Sequence, residues 1–409
     1  MKILVIAGWM YPDEEGGSFR VVYENARGLA ARGHQVHVLT QRLDPSHPEC
    51  QELAGTTVHR YPTTAKSGIR FYASTLRQVR RWAERLHADV GFDALLLHHP
   101  VSALAANRAR GLAGLPRVMV LHSVYFLEYA DRHTYDPHTG AEHTLSLLRR
   151  PVAAALRWMD GANLRRSDRV VVLSEFTRLL VERHYPGCAA KVTRLPGGAD
   201  LDAFRPAGGK AEARARLGLD DMGLPDGPAL FFTCRRLEHR MGVVELVEAA
   251  HQLQHAGRKV VLLVAGRGAL ADELKQRIAD AELADTVKLL GFVAEDELPL
   301  YYRAADCFVL PTRALEGFGL VTAEAFACGT PVLGTPVGAT PELIEPFDKR
   351  LVTADATTDG LAKGMTRFLD EVAATPNLAA RCRTYAEQSF SWDTMTDGLE
   401  RILGELAQQ

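Results

Sequence analysis

Glu316 and Glu324, with seven residues between them, carry the chemistry most visible in this sequence. They lie in Leu310-Pro311-Thr312-Arg313-Ala314-Leu315-Glu316-Gly317-Phe318-Gly319-Leu320-Val321-Thr322-Ala323-Glu324. A strand is predicted to end at Leu310, a glycine-punctuated loop follows, and a helix starts near Gly319. The start of a helix presents unpaired N–H groups and a partial positive charge, which suits a phosphate. One carboxylate just before that start and one a turn inside it can face one pocket without touching, and ionised carboxylates accept hydrogen bonds from sugar hydroxyls. The plainer alternative is a pair of helix-start glutamates stabilised by the dipole. His122 closes the apolar run Val118–Leu121, and open α/β sheets bind ligands at the C-terminal ends of their strands. Gly16 and Gly17 form a loop between the first strand and its helix, where missing side chains let backbone approach a phosphate or sugar.

Other patterns imitate chemistry without completing it. Gly266-Arg267-Gly268-Ala269-Leu270-Ala271 reads G-x-G-x-x-A between a strand and a helix, as in a dinucleotide loop. The acidic residue such a loop needs at the end of the next strand is missing. Gly208-Gly209-Lys210 lacks the spacing and the Ser/Thr of a P-loop, and no G-x-S-x-G hydrolase elbow occurs. The six cysteines (50, 188, 234, 307, 328, 382) form no C-x-x-C, so neither a zinc site nor a disulfide framework is expected. That usage fits a reducing cytoplasm. His133, His138 and His143 are five apart, which does not stack them on one helix face, so no metal is expected there.

The elements that must position these residues alternate. Strands are predicted at Lys2–Gly8, Gln35–Thr40, Ala94–Leu97, Arg117–Leu121 and Val170–Leu173, and then at Ala229–Thr233, Lys259–Ala265, Val287–Leu290, Cys307–Leu310 and Pro331–Gly334. Helical stretches separate them. Continuous Val/Ile/Leu runs of this length read as parallel strands buried on both faces. A chain of 409 residues suggests two or three domains. We read two doubly wound α/β domains, residues 1–205 and 206–386, joined near Pro206-Ala207-Gly208-Gly209, with a closing segment 387–409. A cleft between them is the default ligand site. Residues 1–200 hold 26 Lys/Arg against 19 Asp/Glu (+7), and the remainder 22 against 31 (−9), which sum to the net −2. A basic half and an acidic half suit different ligands, an anionic one for the first, although separately solvated surfaces would read the same. The small net charge argues against nucleic acid as a partner, and no apolar run approaches a membrane span.

Two segments depart from the alternation. Phe71–His87 sets an arginine row, Arg77, Arg81 and Arg85, opposite an apolar stripe. It reads as a solvated helix face over a core, with an anionic membrane surface as the alternative. Tyr125–Arg166 is long, aromatic and histidine-rich, in the manner of a lid or binding loop.

The stretch EGFGLVTAEAFACGTPVLGTPVGATPELI resembles the nucleotide-sugar loop of GT-B glycosyltransferases, in particular the retaining family 4. The resemblance extends through GGSFRVVYENARGLAARGHQVHVLT, VVVLSEFTRLLVERHY, RLPGGADLDAF, RRLEHRMGVVELVEAA, LLVAGRGALADEL and LLGFVAEDELPLYYRAADCFVLPT to FSWDTM, in the family's order. It implies that Glu324 holds the nucleotide ribose and Glu316 hydroxyls of the transferred sugar. Gly317, Phe318, Gly319 and Leu320 would offer backbone to that sugar and the diphosphate. Gly16, Gly17 and Gly266 would border the donor, and Phe292 and Val293 would form the base-binding corner. Arg236 and Arg240 would neutralise the diphosphate, as developing charge on a leaving group requires. Met241 stands where the family commonly has Lys, and the neighbouring Arg235 leaves the register open. His122 would sit beside the transferred sugar, followed by Ser123 where Asp is common. Asp200-Leu201-Asp202, although it spells a metal-binding DxD, falls in a family segment with no metal role, so no metal or other cofactor is expected beyond the nucleotide-sugar co-substrate.

The expected activity is therefore retaining transfer of a sugar from a nucleotide diphosphate, uridine favoured over guanosine on family frequency, to a hydroxyl of a small-molecule, glycan or lipid-linked acceptor. The donor would lie on the second domain and the acceptor on the first, in a cytoplasmic protein with peripheral membrane contact as an option. Rival readings are a GT-B epimerase or sugar phosphorylase, a dehydrogenase built on the Gly266 loop, and a non-catalytic GT-B subunit.

Overall fold

The computed structural model describes residues 1–63, 68–134, 144–219 and 227–408. The chain folds into two compact units. The first is built from Met1–Ala130, Thr144–Gly197 and the final helix from Trp392, the second chiefly from Gly198–Ser391. The break falls between Gly197 and Gly198, ahead of the Pro206–Gly209 cluster. The residues between belong to the second unit because Ala199 donates its N–H to the Phe390 carbonyl (3.1 Å) and Arg383 binds the carbonyls of Leu201 and Phe204 (3.0 and 2.8 Å).

In the first unit β1 (Lys2–Ile6), β2 (Gln35–Gln41), β3 (Cys50–Leu53), β4 (Thr56–Tyr61), β5 (Ala94–Leu97), β6 (Arg117–Leu121), β7 (Arg169–Val172) and β8 (Val192–Arg194) form one sheet in the order β3-β4-β2-β1-β5-β6-β7-β8. All neighbours pair in parallel except the β3–β4 hairpin. The chain winds outward from β1 through β2 and β4, then returns to β5 and winds the other way. The switch point therefore lies between β1 and β5, whose apolar side chains are wholly buried. The second unit holds β9 (Ala229–Cys234), β10 (Val260–Ala265), β11 (Val287–Gly291), β12 (Cys307–Leu310) and β13 (Val332–Gly334), all parallel in the order β11-β10-β9-β12-β13. Its switch point lies between β9 and β12.

The final helix, Trp392–Ala407, packs on the first helix, Gly17–Ala31. Gly28 makes the approach possible, since a Cβ there would lie 2.3 Å from the Thr396 hydroxyl. Arg32 pairs with Asp397 at 2.5 Å, and a His34 ring nitrogen lies 2.9 Å from a Glu400 carboxylate oxygen. The helix Gly68–Val90 places Val79, Ala83 and Leu86 in the core and leaves Arg77, Arg81 and Arg85 exposed, the solvated-face arrangement. Of the spaced histidines, His138 and His143 lie outside the described residues.

Candidate active site

At the switch point of the second unit, three loops leave β9, β10 and β12 and lock together around Arg235 and Glu316. Arg235 is the first residue after β9. Its Nη2 donates to Glu316 Oε2 (2.6 Å) and contacts the Met241 sulfur (3.1 Å), with both charged side chains nearly buried. Thr312 Oγ donates to the same carboxylate oxygen (2.7 Å). Burial alone would push the Glu316 carboxyl up. Arg235, the two hydrogen bonds and the nearby Arg240 outweigh it and hold the group below the ordinary glutamate range. Oε1 makes no hydrogen bond within the described residues, so it is the oxygen left to meet a ligand.

Arg236 turns the other way. Its side chain is 57% exposed and lies 3.7 Å from Glu238, whereas Arg240 is 11% exposed and 3.8 Å from the same carboxylate. The structure thus pairs Arg235 with Glu316 and leaves Arg236, which the family resemblance gives to the diphosphate together with Arg240, largely exposed. Arg235 and Arg236 diverge at the exit of β9 because successive side chains there point to opposite sides.

Glycines hold these loops in contact. A Cβ on Gly266 (φ +133°) would lie 1.7 Å from the Arg235 carbonyl, and one on Gly242 (φ +71°) 1.8 Å from that of Pro311. Leu237 N–H donates to the Arg267 carbonyl (2.9 Å), so the G-x-G of the dinucleotide look-alike is accounted for by two loops packed backbone to backbone. Gly266→Ala should therefore displace Arg235 and cost about 1–3 kcal/mol of backbone strain. Urea denaturation followed by circular dichroism, with an unchanged midpoint as the contrary result, checks this.

Leu315, immediately before Glu316, adopts φ +56°, a rare conformation for a branched residue and one found at functional sites. The following helix, Leu320–Ala327, starts from Gly319 in the left-handed region with no side-chain cap, so Gly319 and Leu320 open an uncapped N-terminus. Phe318 is buried. Glu324 accepts a hydrogen bond from Tyr302 (2.8 Å), a buried tyrosine whose hydroxyl burial and the glutamate push up. Beyond β11, Val293 is buried, while Phe292 is 44% exposed and carries the Arg267 guanidinium 4.7 Å from its ring centre. Asp200 of the DxD look-alike is engaged in a turn, accepting N–H groups from Asp202 and Ala203 (3.1 and 3.0 Å).

The first unit gathers histidines at its own switch point. His98 and His99 follow β5, and His122 follows β6. His98 Nδ1 and His122 Nε2 are 3.0 Å apart, and His99 Nδ1 accepts the Gly8 N–H at 2.9 Å, which fixes its proton on Nε2. Burial lowers the pKa of all three, His99 to about 4, and their mutual proximity lowers His98 and His122 further. The cluster therefore stays neutral near pH 7. His122 Nδ1 has no partner among the described residues. Gly16 (φ +148°) precedes the helix that Gly17 begins, with the Phe19 ring beneath it. The loop leading there is tethered by the buried Arg60, which grips Asp13 through two hydrogen bonds (2.5 and 2.9 Å).

Arg235, Tyr302, His98 and His99 were not assigned roles from the sequence. The histidines carried a usable signal, because Leu95-Leu96-Leu97-His98-His99 ends a buried strand just as Val120-Leu121-His122 does. Tyr302 carried none, since a tyrosine in an amphipathic helix reads as core.

Two doubly wound α/β units, one with an ion-paired glutamate and an open helix N-terminus at its switch point, define the class of GT-B glycosyltransferases. Known proteins agree. The model of the glycosyl transferases group 1 matches residues 220–389 and that of glycosyltransferase family 4 matches residues 15–203. A GDP-mannose-dependent alpha-(1-6)-phosphatidylinositol monomannoside mannosyltransferase of Mycobacterium tuberculosis is 32% identical, over 96% of both chains. A D-inositol 3-phosphate glycosyltransferase of Streptomyces scabiei is 29% identical, over 93% of this chain and 84% of the relative. Among solved structures, a sucrose-phosphate synthase from Thermosynechococcus elongatus shares the fold with a TM-score of 0.83 at 23% identity, covering 99% of this chain and 98% of that one. The chain belongs to the family 4, group 1 glycosyltransferases.

Proposed function

We propose that this glycosyltransferase moves a hexosyl group, with retention of configuration, from a nucleoside diphosphate sugar held by the second unit to a hydroxyl of an acceptor held by the first. The observation that carries this is the buried Arg235–Glu316 pair beside the open N-terminus at Gly319. Glu316 Oε1 would accept hydrogen bonds from sugar hydroxyls, and the helix N-terminus would receive the diphosphate. Arg235 and Arg240 would stabilise the charge developing on the departing phosphate. Glu316 is committed to Arg235 and Thr312, so it is not offered as a covalent nucleophile. A front-face route follows, in which the departing phosphate helps to take the acceptor proton. Glu324, braced by Tyr302, would hold the ribose, and Phe292 would border the base.

Family frequency favours a uridine donor. The second reading, a guanosine donor, is favoured by one specific observation, the 32% identity to an enzyme named as GDP-mannose-dependent. Neither reading requires a metal.

Calorimetric unfolding against UDP, GDP, ADP, TDP and NAD decides the matter. A ligand at about 100 times its dissociation constant adds about 2.7 kcal/mol of stability. We expect one nucleoside diphosphate to raise the transition of the second unit, and Glu324→Ala to weaken that binding about tenfold or more. A shift with NAD alone would replace this reading with a dehydrogenase. Heat capacity is the appropriate signal, because all four tryptophans (9, 82, 158 and 392) lie in the first unit and their fluorescence would report the wrong half.

A further inference from the structure

Leu147 and Leu148 stand 75% and 90% exposed at the tip of a turn, followed by Val152 at 44% and Trp158 at 53%. Of the six large apolar residues that stand exposed in the described structure, these are four, and they fall within twelve residues of one another. The turn is well formed. Arg149 and Arg150 both donate their N–H groups to the Ser146 carbonyl (2.9 and 3.2 Å), and the helix Arg150–Arg166 begins there. On that helix Leu156, Met159 and Asp160 face inward, while Arg150, Ala154, Arg157 and Trp158 remain on the outer side. The leucines are thus presented outward by a fixed scaffold whose inner face is already occupied.

The charge around them has one sign. From Thr144 to Met159 the sequence contains Arg149, Arg150 and Arg157 and no acidic residue. None of the three forms an ion pair among the described residues. Arg157 lies over the Phe126 ring at 5.5 Å, and a fourth cation, Arg108, lies over the Trp158 ring at 5.4 Å. Exposed aliphatic side chains followed along the chain by arginines without ion pairs and by an exposed tryptophan on the same helix are complementary to the headgroup and upper acyl region of an anionic bilayer. A protein partner built to bury the leucines would need carboxylates for the arginines. A second copy of this chain offers none from this patch, so self-association through it would set arginine against arginine.

We propose that residues 145–158 form a membrane-docking surface of the first unit, with the leucines entering the interface of an anionic bilayer and the arginines meeting its phosphates. The proposal goes beyond glycosyl transfer and does not depend on it, because docking is measured without donor or acceptor.

The test is flotation of the purified full chain with vesicles of phosphatidylcholine alone and of phosphatidylcholine mixed with phosphatidylglycerol. Binding is expected to the anionic vesicles only and to fall about fivefold for each arginine removed in Arg149→Gln and Arg150→Gln. The double change Leu147→Ser with Leu148→Ser should lower it about tenfold or more. These positions are exposed, so the variants should keep the wild-type unfolding midpoint and nucleotide response. A blue shift of tryptophan emission on adding anionic vesicles, abolished in Trp158→Phe, is the corresponding spectroscopic result. Undiminished binding by the leucine variant, equal binding to neutral vesicles, or a lipid-free dimer that the leucine variant dissociates would each overturn the proposal.

Discussion

Glu316→Ala should lower sugar transfer by about a hundredfold to a thousandfold, the loss typical of removing one preorganised electrostatic group from an active site. Nucleotide binding should survive it, because the ribose contact is assigned to Glu324. The Arg235 partner then decides how the loss is read. Arg235→Ala leaves a buried carboxylate without its counter-charge, a change that costs about 3–5 kcal/mol when such a pair is broken from one side. Glu316, held low chiefly against its burial by Arg235, would then titrate higher, and the variant should be both unstable and inactive. Arg235→Lys keeps a charge but loses the guanidinium fork and should recover fold before activity. Arg236→Ala is the control. That side chain is largely exposed, and its loss should cost little stability and less activity than loss of Arg235. Initial rates, nucleotide titration calorimetry and denaturation on the four proteins separate these outcomes. A folded Glu316→Ala enzyme transferring at wild-type rate, or Arg236→Ala failing where Arg235→Ala succeeds, would overturn the assignment.

The register of that arginine marks the limit of the sequence. The central strands were legible because Lys2–Ile6, Ala94–Leu97 and Val260–Ala265 are unbroken apolar runs, as two-sided burial demands. The strands missed were those that burial does not mark. Cys50–Leu53 is almost wholly exposed, and Thr56–Tyr61 hides a buried Arg60 whose partner, Asp13, is remote in sequence. Val192–Arg194 is a three-residue strand at the sheet edge. In the site, Glu316, Gly319 and Glu324 were readable because a strand, a loop and a helix start are local patterns. Whether Arg235 or Arg236 turns inward depends on how β9 ends against the Gly266 loop, and that is a contact between strands. The same holds for Gly338, where a Cβ would lie 2.4 Å from the Glu316 carbonyl. Its glycine looks like any turn glycine until the chain beyond β13 is seen lying on the loop that carries Glu316.

Below about pH 6.5 the first unit should lose stability steeply, through groups that serve its switch point. His98, His99 and His122 are neutral when folded, with pKa values depressed by burial and, for His98 and His122, by their neighbours as well. Unfolded, each titrates near the ordinary value of about 6.5. Between that value and the folded one, near 4 for His99, the unfolded chain binds protons that the folded chain refuses, so stability falls as pH falls. Each such proton is worth about 1.4 kcal/mol per pH unit. Three together approach about 4 kcal/mol per unit as an upper bound, against a total of about 5–15 kcal/mol for a whole domain. The stacked, half-buried pair His37 and His59, with ring nitrogens 2.9 Å apart, works in the same direction with solvent screening. Asp160 opposes them. Burial raises its carboxyl to about 7 although it accepts the Phe126 N–H, so the folded state gains on the unfolded one as pH falls from about 7 toward 4. One carboxyl against three buried histidines leaves acid loss as the net result. Urea midpoints read by tryptophan emission report this unit alone and should fall between about pH 7.5 and about pH 5. Asp160→Asn should steepen the fall by removing the opposing group, and His98→Asn should flatten it. A midpoint that does not move across that range would mean that these histidines titrate normally, and with that the neutral cluster beside His122 would be lost.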